Sequence, residues 1–185
     1  HGLSSVARTE ADIVASGRRL GIPEPVPWGR LKALVCAGDI GPLGRSYAMQ
    51  ARYEKHSLHV KQKCGSMASY LLSGTLASFI ARTQAPGFDP RAPMGDDDFE
   101  FRINDFPYHT GDGVEHWVLW CIKPLQPGFA APAAVARTIR RRFGDRAEWV
   151  YIVNPPHRQS VPQLSHAHVF VNHGSAGSLS PPRGG

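Results

Sequence analysis

Paired cysteines are missing from this chain. Its three cysteines, Cys36, Cys64 and Cys121, form no CxxC pair and are odd in number, so neither a disulfide framework nor a zinc knuckle is signalled. A reducing cytoplasm fits that cysteine usage best. Long apolar runs are missing too. The stretches around Trp117–Ile122 and Val150–Val153 fall far short of the ~20 residues that cross a bilayer, and a soluble protein with no membrane partner is expected. A basic-then-apolar leader ahead of the first helical pattern is not expected. Acidic residues are the scarcer charge, 15 against 21 Lys and Arg, for a formal charge of +6 and a pI near 9.5. A basic balance of that size suits an anionic partner.

What is present divides into two halves within one domain spanning residues 1–173, the size that 185 residues with 42% hydrophobic content bury around one core. The first half, to about residue 83, is helical in pattern. Ala7–Leu20 stops at Gly21, and Pro23, Pro25 and Pro27 form a stiff connector. A second helix starts near Pro27 with a stripe of Leu31, Leu34 and Val35, closed by Gly38 and Gly41. Arg45–Lys63 and Ser66–Arg82 read as two more helices either side of Gly65. Residues 84–97, rich in Pro, Gly and Asp, read as a loop.

From about residue 97 the period changes to two. Phe99, Phe101 and Ile103 alternate with Glu100, Arg102 and Asn104, a strand with one buried face. Val114–Ile122, Trp149–Val153 and His166–Val171 are further strands. Between them Ala131–Phe143 is a helix with Val135, Ile139 and Phe143 on one stripe and Arg137, Arg140, Arg141 and Arg142 on the others. The fold class expected is therefore α+β: a helical region followed by a mainly antiparallel sheet with one basic helix. The tail from Gly174 to Gly185, rich in Ser, Pro and Gly, is expected to be mobile.

Three constellations carry chemistry. Asp96-Asp97-Asp98-Phe99-Glu100 gathers four carboxylates ahead of a strand in an otherwise basic chain, and suits a guanidinium, an ammonium or a metal. Its bland alternative is a solvated acidic turn. Arg137, Arg140, Arg141, Arg142 and Arg146, faced only by Asp145, form a patch fit for phosphates, as a solvated basic face also would. Lys55, Lys61, Lys63, Arg45 and Arg52 add a second basic stretch. His166-Ala167-His168 places two imidazoles on one strand face, with His116 on another strand. Three imidazoles could bind zinc, yet hydrogen-bonded pocket histidines are the commoner case, and no metal or cofactor is expected.

The strings Asn104-Asp105-Phe106-Pro107-Tyr108, Gly113-Val114-Glu115-His116-Trp117-Val118-Leu119-Trp120, Val153-Asn154-Pro155-Pro156, Gln159-Ser160-Val161 and His166-Ala167-His168-Val169 resemble the fungal family of N-acetylglucosamine-induced proteins. Trp28-Gly29-Arg30-Leu31-Lys32, Leu43-Gly44-Arg45-Ser46 and Gly65-Ser66-Met67 fit the same pattern in order, so the resemblance covers roughly residues 27–171. One branch of that family is the arginine-containing cyclodipeptide synthases of fungal secondary metabolism, whose signature is Asp-Asp-x-x-Glu. Asp96-Asp97-x-x-Glu100 fits it.

The resemblance implies an aminoacyltransferase that draws on arginyl-tRNA and a second aminoacyl-tRNA and releases a cyclic dipeptide, a diketopiperazine containing arginine. An aminoacyl ester is already activated, so such an enzyme must position an unprotonated amine against the ester carbonyl and stabilise the oxyanion. Asp96, Asp97 and Glu100 are the expected catalytic and guanidinium-holding carboxylates. Arg137, Arg140, Arg141 and Arg142 are the expected RNA contacts.

The order strand, helix, strand, then a histidine-rich strand also looks like the histidine-triad nucleotide hydrolases, although Gln163 and Ser165 stand near where two of their histidines would fall. That likeness implies a substrate pocket beside Asn104, Asp105, His116, Ser160, His166 and His168. Ser160 lacks the Gly-x-Ser-x-Gly context of a nucleophile and reads more readily as a hydrogen-bonding residue. Cys121 lies in an apolar strand, where an inert thiol is expected. Three functions follow in order: the tRNA-dependent synthase, a non-catalytic nucleotide or sugar-phosphate binder, and a histidine-triad-like phosphoester hydrolase.

Overall fold

The structure is a computed structural model in which residues 9–174 are described. Ala7 and Arg8 of the expected first helix, and the expected tail past Gly174, lie outside the described residues. Helix α1 (Glu10–Leu20) begins with a capping box, in which Thr9 Oγ1 accepts from Asp12 N at 3.2 Å and Asp12 Oδ2 accepts from Thr9 N at 2.8 Å. Helix α2 (Trp28–Ala37) follows Pro27 and ends at Gly38, whose φ of 70° needs a residue without Cβ. Helix α3 (Tyr47–Cys64) starts two residues later than the pattern predicts, because Ser46 is its cap, its hydroxyl accepting from Met49 N at 3.3 Å. Arg45 therefore belongs to the extended segment that enters the helix.

The single helix expected over Ser66–Arg82 is a correction. The chain forms α4 (Met67–Ser73), breaks at Gly74 and resumes as α5 (Ala77–Ile80) and a 3-10 turn over Ala81–Gln84. The break lets Leu76 and Phe79, both buried, turn in beneath Trp120 with Val161 and Leu164. That burial outweighs the helical propensity of the interrupted run.

The sheet comprises β1 (Phe99–Ile103), β2 (Val114–Cys121), β3 (Glu148–Ile152) and β4 (His166–Asn172), with α6 (Ala133–Phe143) between β2 and β3. Every pairing is antiparallel and the order is β1-β2-β4-β3. The α+β class expected from the sequence is what the chain adopts. Register assigns the faces, since residues opposite one another share a side. Phe99, Leu119, Cys121, Ala167, Val169, Val171 and Tyr151 pack against Val135 and Ile139 of α6. Ile103 is a second correction: it belongs to that face by alternation but is 52% exposed, at the far end of an edge strand.

The opposite face carries His116, Val118, Trp120, His166, His168 and Phe170. Leu31, Val35, Ile40 and Leu43 cover its Phe170 end, and α4 with α5 cover its Trp120 end. Central strand β4 is thus buried on both sides, His166 and His168 included. No helix among the described residues is long and apolar enough to cross a membrane.

Candidate functional site: a histidine-floored pocket

Between the two covered ends of that sheet face lies a pocket of about 320 Å³. Val118, Trp120, His166 and His168 form its floor, Tyr53 and His56 of α3 with Met67 and Tyr70 of α4 its roof, and Arg102–Phe106 its rim, with Ser160 beside the floor. The arrangement follows from the register: Val118 pairs with His168 and Trp120 with His166, so four side chains make one patch.

The histidines are wired to one another. Tyr108 N donates to His116 Nδ1 at 2.9 Å, which leaves that nitrogen unprotonated and places the proton on Nε2. His116 Nε2 then donates to His168 Nδ1 at 2.9 Å, so His168 carries its own proton on Nε2. His166 Nδ1 donates to Leu164 O at 2.7 Å, leaving the Nε2 lone pair of His166 available. These tautomers follow from the hydrogen-bond partners. The result is a donor on His168 and an acceptor on His166, side by side with ring centroids 5.7 Å apart.

Burial keeps all three rings neutral. The pKa of His116 is driven well below the usual histidine value by desolvation, then by His168 and Arg45. Desolvation, then His166, Arg45 and Arg158 do the same to His168. Desolvation lowers His166 also, partly opposed by its bond to Leu164. His166 therefore offers a free lone pair and His168 an N–H near pH 7 rather than a charge, while His116 spends both nitrogens on Tyr108 and His168.

Asn104 organises the rim. Its Oδ1 accepts from Phe106 N at 2.9 Å, an Asx turn that carries the chain round to Tyr108. Its amide nitrogen lies 3.3 and 3.5 Å from the two nitrogens of His116, and near-equal distances put it over the ring face. Arg45 is the other organiser, and periodicity does not single it out as a pocket residue. Its guanidinium stacks 3.9 Å from the Tyr53 ring, and its Nε donates to Phe106 O at 2.9 Å. Its Nη1 donates to Gln50 Oε1 at 3.4 Å, and Gln50 in turn donates to Glu54 at 3.1 Å. Desolvation lowers the Arg45 pKa, a cost that an anion bound in the pocket would offset.

The sequence-predicted residues scatter in part. Asn104, Asp105, Ser160, His166 and His168 line the pocket, and His116 stands directly behind His168. Asp105 is exposed at the mouth. The acidic segment splits among different partners. Asp96 is ion-paired with Arg141 and accepts from Thr138 Oγ1 at 3.4 Å, both on α6, across the sheet from the pocket. Asp98 is buried against Lys123 at 2.7 Å. Asp97 is exposed, and its carbonyl accepts from Arg82. Glu100, opposite Trp120, lies on the pocket face and accepts from Arg102 Nε at 2.6 Å.

Arg137, Arg140, Arg141 and Arg142 are carried on α6, behind the sheet. Arg142 covers Trp117 at 5.2 Å and Arg140 covers Trp149 at 6.0 Å. On the pocket side, Arg52, Lys55, His59 and Lys63 follow one stripe of α3 at helical spacing. Among the described residues no group of three or more His, Cys, Asp or Glu is arranged to hold a metal ion; His116 and His168 spend their facing nitrogens on each other.

Tyr53, His56 and Trp120 are pocket residues that the sequence patterns do not nominate as ligand contacts, and Arg45 is nominated only within the second basic stretch. The signal available for them is the aromatic and basic content of residues 45–56 next to a predicted helix start.

These features sit on a helix-covered antiparallel sheet whose pocket is floored by neutral histidines. Residues 27–172 match the family model described as protein of unknown function (DUF3605), and the chain belongs to that family. The match runs from the start of α2 to the end of β4, so it takes in the whole pocket. The chain is similar to uncharacterized protein YPL067C of Saccharomyces cerevisiae, 28% identical over 158 residues that make 78% of this chain and 77% of that protein. It also superposes on the crystal structure of HTC1 with a TM-score of 0.56 at 26% identity, over 80% of this chain and 85% of that one.

Proposed function

We propose that this protein is a cytoplasmic, tRNA-dependent cyclodipeptide synthase that joins arginine from arginyl-tRNA to a second aminoacyl group. The observation that supports the reading is the pairing of an unprotonated His166 Nε2 with a His168 N–H at the floor of a pocket lined by aromatic rings and arginines. An aminoacyl-adenosine end presents a base for Tyr53, Tyr70 or Trp120 to stack on and phosphates for Arg45 and Arg102. Asp105, exposed at the mouth, and Glu100, on the pocket face beside Arg102, are the partners for the substrate's guanidinium. Asp96, tied to α6, anchors the turn that leads into β1.

The chemistry balances with these groups alone. His166 Nε2 takes a proton from the attacking α-amine as its nitrogen bonds to the ester carbonyl of the other aminoacyl group. His168 N–H faces the developing oxyanion. The C–O bond to the ribose oxygen breaks, and the proton held by His166 passes to that oxygen, releasing one tRNA. The amine left free on the dipeptidyl ester attacks its remaining ester carbonyl in the same way, closing the ring and releasing the second tRNA.

A second reading has its own support. Arg45, desolvated at the pocket and stacked on Tyr53, also suits a nucleotide or sugar-phosphate binder. Mass spectrometry of extracts from cells expressing the chain separates the two. The synthase reading expects masses of arginine joined to another amino acid less two waters, lost in Glu100→Gln and His166→Ala and retained in Asp96→Ala. A folded protein that yields no such mass, and that binds nucleotide or sugar phosphate through Arg45, would overturn it in favour of the binder.

A further inference from the structure

Beside the histidine pocket lies a second cavity, of about 430 Å³, for which the reading above has no use. The two cavities share a wall, since His166 lines both. Residues 159–166 form the partition. Ser160 and Val161 face the first cavity, and Gln159, Gln163 and Leu164 face the second.

Their chemistries differ. The first holds Arg45, Arg102 and Asp105 among aromatic rings. The second is walled by Ile80, Ile122, Leu125 and Leu164, with Gln159 and Gln163 as its amides. Its ionisable members offer no available charge. Lys123 is ion-paired with Asp98 at 2.7 Å and donates to Pro93 O at 3.0 Å, and burial pushes the Cys121 thiol up to about 11, so it stays neutral. A charged group entering this cavity finds no counter-ion, whereas a neutral apolar body finds contact on several sides.

We propose that this second cavity holds the side chain of the second aminoacyl group, a neutral residue with an apolar body, an inference that rests on the synthase reading. Amide formation requires the amine within about 3–3.5 Å of the carbonyl carbon. The two groups would approach each other at His166, the residue common to both linings, whose unprotonated Nε2 accepts the proton in the reading above. The arginyl half lies in the charged cavity and its partner in the neutral one, so the product carries one arginine and one uncharged residue.

The test is the product spectrum of the wild-type chain against Gln163→Trp and Thr83→Trp, made in extracts supplied with arginine and a mixture of the other amino acids. Gln163 is exposed and Thr83 half-buried, so added bulk enters the cavity while the core is untouched. Gln163→Ala widens the same wall. We expect the ratio of large to small second residues to fall about tenfold or more in the two Trp variants, as a misfit of one or two methylenes implies, and to rise in Gln163→Ala, with arginine in every product.

An unchanged spectrum at undiminished yield would overturn the cavity assignment and leave the synthase reading standing. So would a charged second residue in the wild-type product. A folded Trp variant that makes neither large nor small products would also count against it, because narrowing a side-chain cavity spares the smallest residues. No arginine dipeptide from the folded wild type would remove the synthase reading, and this inference with it.

Discussion

His116 and His168 meet nitrogen to nitrogen at 2.9 Å across neighbouring strands, with Tyr108 N locking the far side of His116. That contact makes His168 a fixed N–H donor at the pocket floor, and it costs the protein two desolvated imidazoles.

The first prediction concerns roles within the histidine group. On the proposed synthase reading His166→Ala removes the general base and should lower the initial rate of dipeptide formation by about 10²–10⁴. His116→Phe, which keeps the ring stack on Phe170 but frees His168 to change tautomer, should give a smaller loss and move the pH–rate profile. Rates measured with charged tRNA from pH 5.5 to 8.5 check both, and a His166→Ala enzyme at wild-type rate would remove the base assignment.

The second concerns acid stability. All three rings have folded pKa values below the unfolded value, so below about pH 6.5 the unfolded chain binds protons that the folded chain refuses. Stability should therefore be fully present above pH 6.5 and fall as the pH drops, by up to about 1.4 kcal/mol per pH unit for each histidine. Urea unfolding at a series of pH values measures the slope. A flat profile between pH 6.5 and 5 would contradict buried neutral imidazoles.

A third follows from the buried pair Asp98–Lys123, whose side chains are 12% and 8% exposed. Asp98 also caps its own turn, Oδ2 accepting from Gly95 N at 2.8 Å. Removing one partner strands the other charge, so Lys123→Met or Asp98→Asn should cost about 3–5 kcal/mol. Asp98→Asn with Lys123→Met together should cost less than the sum of the two single changes. Denaturant midpoints decide between this and additive loss.

The fourth addresses the RNA surface that the synthase reading requires. The basic stripe on α3 adjoins the pocket roof, and the arginines of α6 lie across the sheet. Arg52→Glu with Lys63→Glu should weaken binding of charged tRNA and reduce the salt slope by roughly 0.7–0.9 for each phosphate no longer neutralised. Arg137→Glu with Arg140→Glu should do so less. The reverse ranking from filter binding across a salt series would return the RNA surface to α6.

Much of the fold is legible in the sequence because it is local. Alternation over Phe99–Ile103 and His166–Val171 marks strands, and the four-residue spacing of Val135, Ile139 and Phe143 marks α6. Within the site, His166 and His168 have to share a face because their spacing is two. The break at Gly74 is not legible, since the advantage of turning there comes from Trp120, Val161 and Leu164, all distant in sequence.

By itself the sequence determined the kinds of element, their order, and which side chains of each strand travel together, because those follow from repeats of 2.0 and 3.6 residues within a short window. Only the tertiary structure decided which chemistry meets which. It brought His116 to His168 over a separation of 52 residues and Arg45 to Phe106 over 61, sent Asp96 to α6, and made His166 the wall between two cavities. Those outcomes depend on strand register and on which apolar faces bury one another, a balance struck over the whole core rather than along the chain.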